Sequence, residues 1–287
     1  MSDKDMSEKT LFDYNDVFAD IVNLYFALSG INRRVKPEEL QNIRSRSIYK
    51  FGDDLHEQER DIVKLWKPEG IAICLIGLEN QTDIDPDMPL RIFGYEGADY
   101  RGQLTDKENA PYFVLTIVLY YGTERRWTAP KNLFDRLNVP QEFRPFVNDC
   151  RVNVVELAWL TDEQAKMLGN DAYVVIDYLR QVRTKKHYDV PEEAEIKHVD
   201  ELLKLLYAMT KEHKFEKVRQ TLPEGENTMK YVKSFFEIER EAGRAEGLAE
   251  GLAKEIANLK EIAQRLLAEG MPPEKVAAIT NLSDFSK

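Results

Sequence analysis

The sequence predicts an α/β fold with a helical C-terminal extension, and three observations carry that expectation. Asp61 to Trp66 and Ile71 to Leu78 read as the two arms of a β-hairpin joined across Lys67-Pro68-Glu69-Gly70. The second arm, IAICLIGL, is an unbroken apolar run of the kind a strand shows when both its faces are covered. Another such run, PYFVLTIVLYY from Pro111 to Tyr121, follows an intervening helical stretch. Beyond about residue 188 only helical periodicity remains. Helix, strands, helix and strand in alternation predict a mixed central sheet flanked by helices. The expected division is a core over residues 1–188, a helical extension over 189–225 and a helical tail over 226–287.

Composition narrows the function classes. The chain has 287 residues, 43% hydrophobic and 32% charged, which suits a globular protein with one large domain and an extension. No apolar run approaches the roughly 20 residues that span a bilayer. MSDKDMSEKT at the N-terminus lacks the apolar segment of a secretory signal. Two cysteines, Cys74 and Cys150, give no disulfide framework, so a cytoplasmic, reducing setting is expected. A formal net charge of -11 argues against indiscriminate nucleic-acid binding, because phosphate contacts need cations. Local clusters remain as candidates: Arg33, Arg34, Lys36, Arg44, Arg46 and Lys50; Arg125 with Arg126; and Arg180, Arg183, Lys185 and Lys186. Each also reads as an ordinary solvated surface run.

Asp13 to Leu28 has helical periodicity, with Val17, Ile21, Leu24 and Leu28 in one apolar row and Gly30 as the stop. Asp16, Asp20 and Asn23 form a separate polar row. Pro37 opens a short helix, a short strand is expected near Ile48 to Phe51, and a charged loop through His56 to Arg60. A helix from about Leu90 to Leu104 contains Gly94 and Gly97, each costing roughly 1 kcal/mol against Ala, which suggests that something approaches its backbone. A short helix near Asn132 to Leu137 precedes a strand over Arg151 to Leu160, and Thr161 with Gln164 forms a capping box. Helices follow over Asp171 to Arg183 and Pro191 to about Lys214. The tail reads as one long helix from about Thr228 to Glu269, with Leu252, Ile256, Leu259, Ala263 and Leu266 in a seam of about two heptads. A last helix after Pro272-Pro273 brings Val276 and Ile279 back towards Leu266 and Leu267. The tail is therefore expected to be a homo-oligomerisation or partner element.

Several chemistries drop out. His56, His187, His198 and His213 show no metal-ligand spacing, and no Cys-x-x-Cys, phosphate-binding glycine loop or Gly-x-Ser-x-Gly elbow occurs. Carboxylates remain. An antiparallel hairpin sets the start of its first arm beside the end of its second, so Asp61 and Glu79 become neighbours at one sheet edge. Two carboxylates with a main-chain oxygen from Asn80 suit a hard cation such as Mg²⁺, which completes its shell with water and phosphate. Gln81, two residues past Glu79, points to the same side and could hydrogen-bond the attacking water. The same residues also read as polar strand ends.

The hairpin with its acid and Glu-x-Gln, set between two helices, resembles the PD-(D/E)xK nuclease core, which implies a restriction-endonuclease-like fold. FADIVN at Phe18 to Asn23, ERDIVKLW, LIGLENQTDIDPDMPLRIFGYEGADYRGQL, VLYYG with RWTAP, and the Gly/Glu-repeat tail together resemble the Rpn family of recombination-promoting nucleases, also described as YhgA-like transposases. The likeness covers nearly the whole chain. It implies Mg²⁺-dependent DNA endonuclease activity associated with recombination and mobile elements. By position it makes Asp61 and Glu79 metal ligands, Asp20 the first-helix acid, and Arg91, Tyr95 and Gln103 phosphate contacts. Gln81 stands where the wider superfamily has Lys, and Gln is neither a cation nor a general base. The rival expectation is a catalytically silent protein of the same fold that binds partners through its tail.

Overall fold

The computed structural model describes residues 3–43, 46–51, 54–105, 107, 110–184, 188, 191 and 194–282. Its framework is a five-stranded sheet in the order β1 (Leu40–Asn42), β4 (Ile62–Trp66), β5 (Cys74–Gln81), β6 (Phe113–Tyr120), β7 (Asn153–Glu156). A separate two-stranded ribbon pairs β2 (Arg46–Phe51) with β3 (Asp54–Glu59). The charged loop expected over His56 to Arg60 is thus strand as far as Glu59. Hydrogen bonding along the ribbon outweighs the charged sequence, in which no apolar alternation announces a strand.

The hairpin forms as its pattern requires. β4 runs antiparallel to β5 with Ile62 opposite Leu78 and Trp66 opposite Cys74. All five residues of β4 and the first six of β5 are buried. Gly70 takes a left-handed φ of 81° in the connecting turn, a conformation that needs no side chain to be moved aside. β5 then pairs parallel with β6, from Cys74–Phe113 to Gln81–Tyr120, and β6 parallel with β7. A parallel pair needs a crossover, supplied here by α3 (Met88–Gln103). Met88, Pro89, Ile92 and Tyr95 are its buried residues, and Met88 and Ile92 join a core with Val118, Tyr120 and Trp127.

The opposite face is covered by α2 (Asn15–Leu28), which buries Val17, Phe18, Ile21, Val22 and Leu24, and by α6 (Asn170–Thr184), which packs against α2. The polar row of α2 anchors three different segments. Asp16 meets Lys197 and His198, Asp20 accepts the Gly169 N–H, and Asn23 both donates to and accepts from the Val35 backbone. Helix α1 (Asp3–Phe12) packs on α7 (Val199–Thr210), and α4 (Leu133–Leu137) and α5 (Asp162–Ala165) are short, the latter closed by the expected Thr161–Gln164 capping box. This mixed sheet with helices on both faces is a restriction-endonuclease-like core.

Two further expectations change. The strand expected over Arg151 to Leu160 is only β7, followed by a 3₁₀ turn at Leu157–Trp159 that keeps the apolar side chains buried. The single helix expected from Pro191 to Lys214 is two, α7 and α8 (His213–Thr221). Lys211 breaks it at a φ of 58°, its N–H capping the Tyr207 carbonyl; no glycine or proline marks that position.

The chain divides into compact units Met1–Tyr231 and Val232–Lys287, a boundary inside α9 (Met229–Ala268). In the second unit Gly270 at φ 87° ends α9 before α10 (Pro273–Thr280). Ala263 and Val276 are fully buried there, whereas Ile279, also expected to fold back, is 60% exposed. Among the described residues no helix is long and apolar enough to cross a membrane.

Candidate active site

Asp61 stands immediately before β4, Glu79 lies near the end of β5, and the paired register between the two strands ends next to them at Ile62 opposite Leu78. The Asp61 carboxylate accepts the Asn80 N–H at 2.9 Å, which fixes it against β5. Its other oxygen holds the Lys9 ammonium at 2.9 Å, a residue that α1 delivers. Glu79 is 1% exposed. Burial pushes its pKa up to about 7; Arg60 pulls it down and the Asp61 charge pushes it further up.

Arg60 organises what lies beneath. Its side chain is 1% exposed, and Nε donates to Glu79 Oε1 at 3.3 Å, Nη1 to Asp99, and Nη2 to Thr116 Oγ1 at 2.8 Å. Thr116 Oγ1 in turn donates to Glu96 Oε1 at 2.9 Å. The Tyr95 ring covers the guanidinium at 5.6 Å. Gly77 makes the space, since a Cβ there would come within 1.7 Å of Arg60 Nη2. One guanidinium therefore faces Glu79, Asp99 and, through Thr116, Glu96. Burial also raises the Glu96 pKa.

The remaining expected site residues fall into separate places. Asn80 accepts from the Tyr121 hydroxyl at 3.1 Å, while its buried Nδ2 has no partner. Gln81 is half-buried at the end of β5, its carbonyl accepting the Tyr121 N–H. Asp20 joins a different cluster with Gly169, Asp16, Lys197 and Arg34, and burial raises its pKa. Arg91 is bonded to Asp85 at 2.8 Å and to the Tyr95 hydroxyl at 3.3 Å, close enough for its charge and that of Glu79 to act on each other. Tyr95 itself is 7% exposed. Gln103 Oε1 accepts the Tyr112 N–H, closing the loop after α3.

The basic clusters divide as well. Arg126 and Arg183 both lie over the Trp159 ring, and Arg180 is spent on Leu160, Asp162 and Asp177. Arg33, Arg34, Lys36 and Arg125 are exposed. Arg44, Lys185 and Lys186, and the side chains of Arg46 and Lys50, lie outside the described residues. At the C-terminal ends of β5 and β6, where open α/β sheets bind ligands, lies a cleft of about 430 Å³ lined by Thr82, Asp83, Tyr120, Gly122, Arg125 and Tyr178.

Sequence reasoning missed Arg60, Lys9, Glu96, Asp99 and Thr116. One signal was available: Gly77 interrupts an apolar strand, and a glycine there marks close approach by another group. Among the described residues no group of three or more His, Cys, Asp or Glu side chains has metal-site spacing. The donor set is two carboxylates with nearby main-chain oxygens, which fits an ion that keeps most of its water.

No curated protein and no solved structure matches this chain. A family model described as "Putative transposase, YhgA-like" matches residues 35–214, a stretch that holds the whole sheet, Asp61, Glu79 and α3. With well over half its length matched, the chain belongs to the YhgA-like transposase family.

Proposed function

We propose that the protein is a Mg²⁺-dependent DNA endonuclease acting in recombination or on mobile elements. The observation that carries this reading is Asp61 and Glu79 at adjoining ends of the interior strands β4 and β5, above a cluster in which carboxylates outnumber the buried cation. Asp61 and Glu79, with an oxygen from Asn80, would hold the ion. When bound, Mg²⁺ lowers the pKa of a coordinated water and neutralises charge on the scissile phosphate. Arg60 fixes the Glu79 carboxylate from below, and Gln81 faces the attacking water. Arg91 and Arg125 are the cations placed to meet the DNA backbone, one beside Glu79 and one in the cleft. Tyr95 acts by holding Arg91 and Gln103 by closing a loop, rather than by touching DNA. Asp20 positions the Gly169 loop.

One observation favours a second reading. Both candidate ligands already carry a basic partner, Lys9 on Asp61 and Arg60 on Glu79, as a silent nuclease-fold DNA- or protein-binding module would have. Plasmid nicking with Mg²⁺ or EDTA separates the two. The endonuclease nicks with Mg²⁺, and EDTA, Asp61→Ala or Glu79→Ala each reduces nicking at least a hundredfold. Absence of nicking by purified wild type, with DNA still bound, establishes the silent module instead.

A further inference from the structure

The outer face of α3 carries a pattern the fold does not use. Leu90, Phe93, Gly97, Tyr100 and Leu104 follow at steps of three, four, three and four, the spacing of a seam that packs on another helix. All five are exposed, Leu104 by 84%, while Met88, Ile92 and Tyr95 make the contacts to the core. Gly97 sits at the middle of the seam, and a Cβ there would meet nothing within 4 Å. The missing side chain serves nothing inside this chain, although glycine weakens a helix by about 1 kcal/mol against Ala.

Beside the seam lies a recess of about 560 Å³ between α3 and residues 148–153. Two residues before its rim, Phe146 projects with 86% exposure. The exposed aromatic residues among those described are Phe93, Tyr100, Phe113, Phe143 and Phe146, all on this part of the chain. The Tyr100 hydroxyl accepts the Val114 N–H, tying this face to the start of β6.

We propose that this face is a homodimer interface in which the α3 seams of two copies pack around Gly97 and each Phe146 enters the other's recess. A knob beside a hole on one surface is self-complementary, as a twofold contact requires. Phe93, Tyr100 and Phe146 expose close to half or more of side chains that carry roughly 150–250 Å² each, so they offer about 360 Å² per copy. A pair reaches about 700 Å², and exposed Leu90, Leu104 and the polar rim bring it towards the roughly 1,000 Å² of a specific contact. The rim carries exposed Asp149 and Arg151, opposite charges that a twofold axis can bring together. With Asp149 and the half-buried Glu96 against Arg151, the recess has no cation surplus to favour nucleic acid.

The test uses full-length protein and is independent of the nuclease reading. Sedimentation of wild type across a concentration series is expected to give a dimer. Phe146→Asp and Phe93→Asp are each expected to weaken it at least tenfold, while Ile256→Asp on the tail seam leaves it intact. Both aromatic side chains are exposed, so the thermal melts should stay near that of wild type. Gly97→Cys combined with Cys150→Ser, which removes the thiol lining the same recess, should form an intermolecular disulfide across the axis, against a low background because Cys74 is buried. A wild-type monomer, a dimer broken by Ile256→Asp and not by Phe146→Asp, or no cross-link at Gly97→Cys overturns the proposal.

Discussion

β4 and Arg60, two residues ahead of it, deliver two buried cations to opposite faces of the sheet, and the two are neutralised differently. Lys64 is fully buried on the α2 face, where Nζ donates to the Asp13 carbonyl at 2.7 Å, the Asp13 carboxylate at 2.9 Å and Asn42 Oδ1, above the Phe18 ring. An ammonium has three donors, and here each has an acceptor. Its one carboxylate partner is 53% exposed, so water shares the compensation. Arg60, on the α3 face, meets Glu79 and Asp99 at 1% and 7% side-chain exposure with Glu96 one hydroxyl away. The Lys64 cluster is closed and balanced. The Arg60 cluster keeps an excess of buried carboxylate, which is the electrostatic condition for taking up another cation.

That contrast predicts unequal penalties. Arg60→Met takes the guanidinium away from buried Glu79 and removes one partner of Asp99, and should cost about 3–5 kcal/mol, the range for breaking a buried pair from one side. Lys64→Met leaves Asp13, whose exposed carboxylate rehydrates, and two neutral acceptors, so about 1–3 kcal/mol is expected. Urea denaturation of the two variants at pH 7.5 measures both. Equal costs would mean that the Arg60 side holds no surplus charge.

The surplus should also appear as a pH dependence centred on Glu79. Below about pH 4.5, its ordinary value, the carboxyl is protonated in the folded and the unfolded chain, and ionisation costs the fold nothing. Between pH 4.5 and about 7 the unfolded chain ionises and the folded one does not, so rising pH progressively disfavours folding. Above pH 7 the whole cost is present, about 3 kcal/mol for such a shift. Glu79→Gln keeps the shape and an acceptor for Arg60 while removing the charge. It should therefore stabilise the protein by up to about 3 kcal/mol at pH 8 and by little at pH 4.5, while abolishing nicking. A variant less stable than wild type at pH 8 would show that Arg60 needs the Glu79 charge, reversing the comparison with Lys64.

The hairpin and the crossover helix were legible because apolar runs and strand register are properties of adjacent residues. Arg60 was not. Strand alternation would set it on the same side as Lys64, two positions from Ile62, yet the irregular backbone at Arg60 and Asp61 turns it to the α3 face under Gly77. Glu96, Asp99 and Thr116 reach it from a helix and a strand remote in sequence, a convergence that no spacing rule records. Lys9 was hidden for the same reason, lying 52 positions from Asp61 in a polar N-terminal stretch. The polar row of α2 was visible, but its three members serve three different loops.

Lys9 offers the gentlest way to sharpen the contrast between the clusters. Its pair with Asp61 is partly exposed, 23% and 20%, so its loss should cost at most about 1 kcal/mol of stability. Its effect on cation uptake has the opposite sign. An ammonium 2.9 Å from Asp61 Oδ1 stands where a metal ligated by that oxygen would compete with it. Lys9→Ala removes the competitor and leaves the carboxylates of the Arg60 side with still more uncompensated charge. Calorimetric titration with Mg²⁺, or with Ca²⁺ as a non-hydrolysing probe, should then show severalfold tighter binding than wild type. DNA affinity should fall at the same time, because a cation at the rim of the site also serves the phosphate backbone. A residue that merely held α1 in place would weaken both. Opposite movements of the two affinities would identify Lys9 as the side chain that yields Asp61 to the metal, and parallel losses would return it to the closed, structural kind of contact that Lys64 makes on the other face.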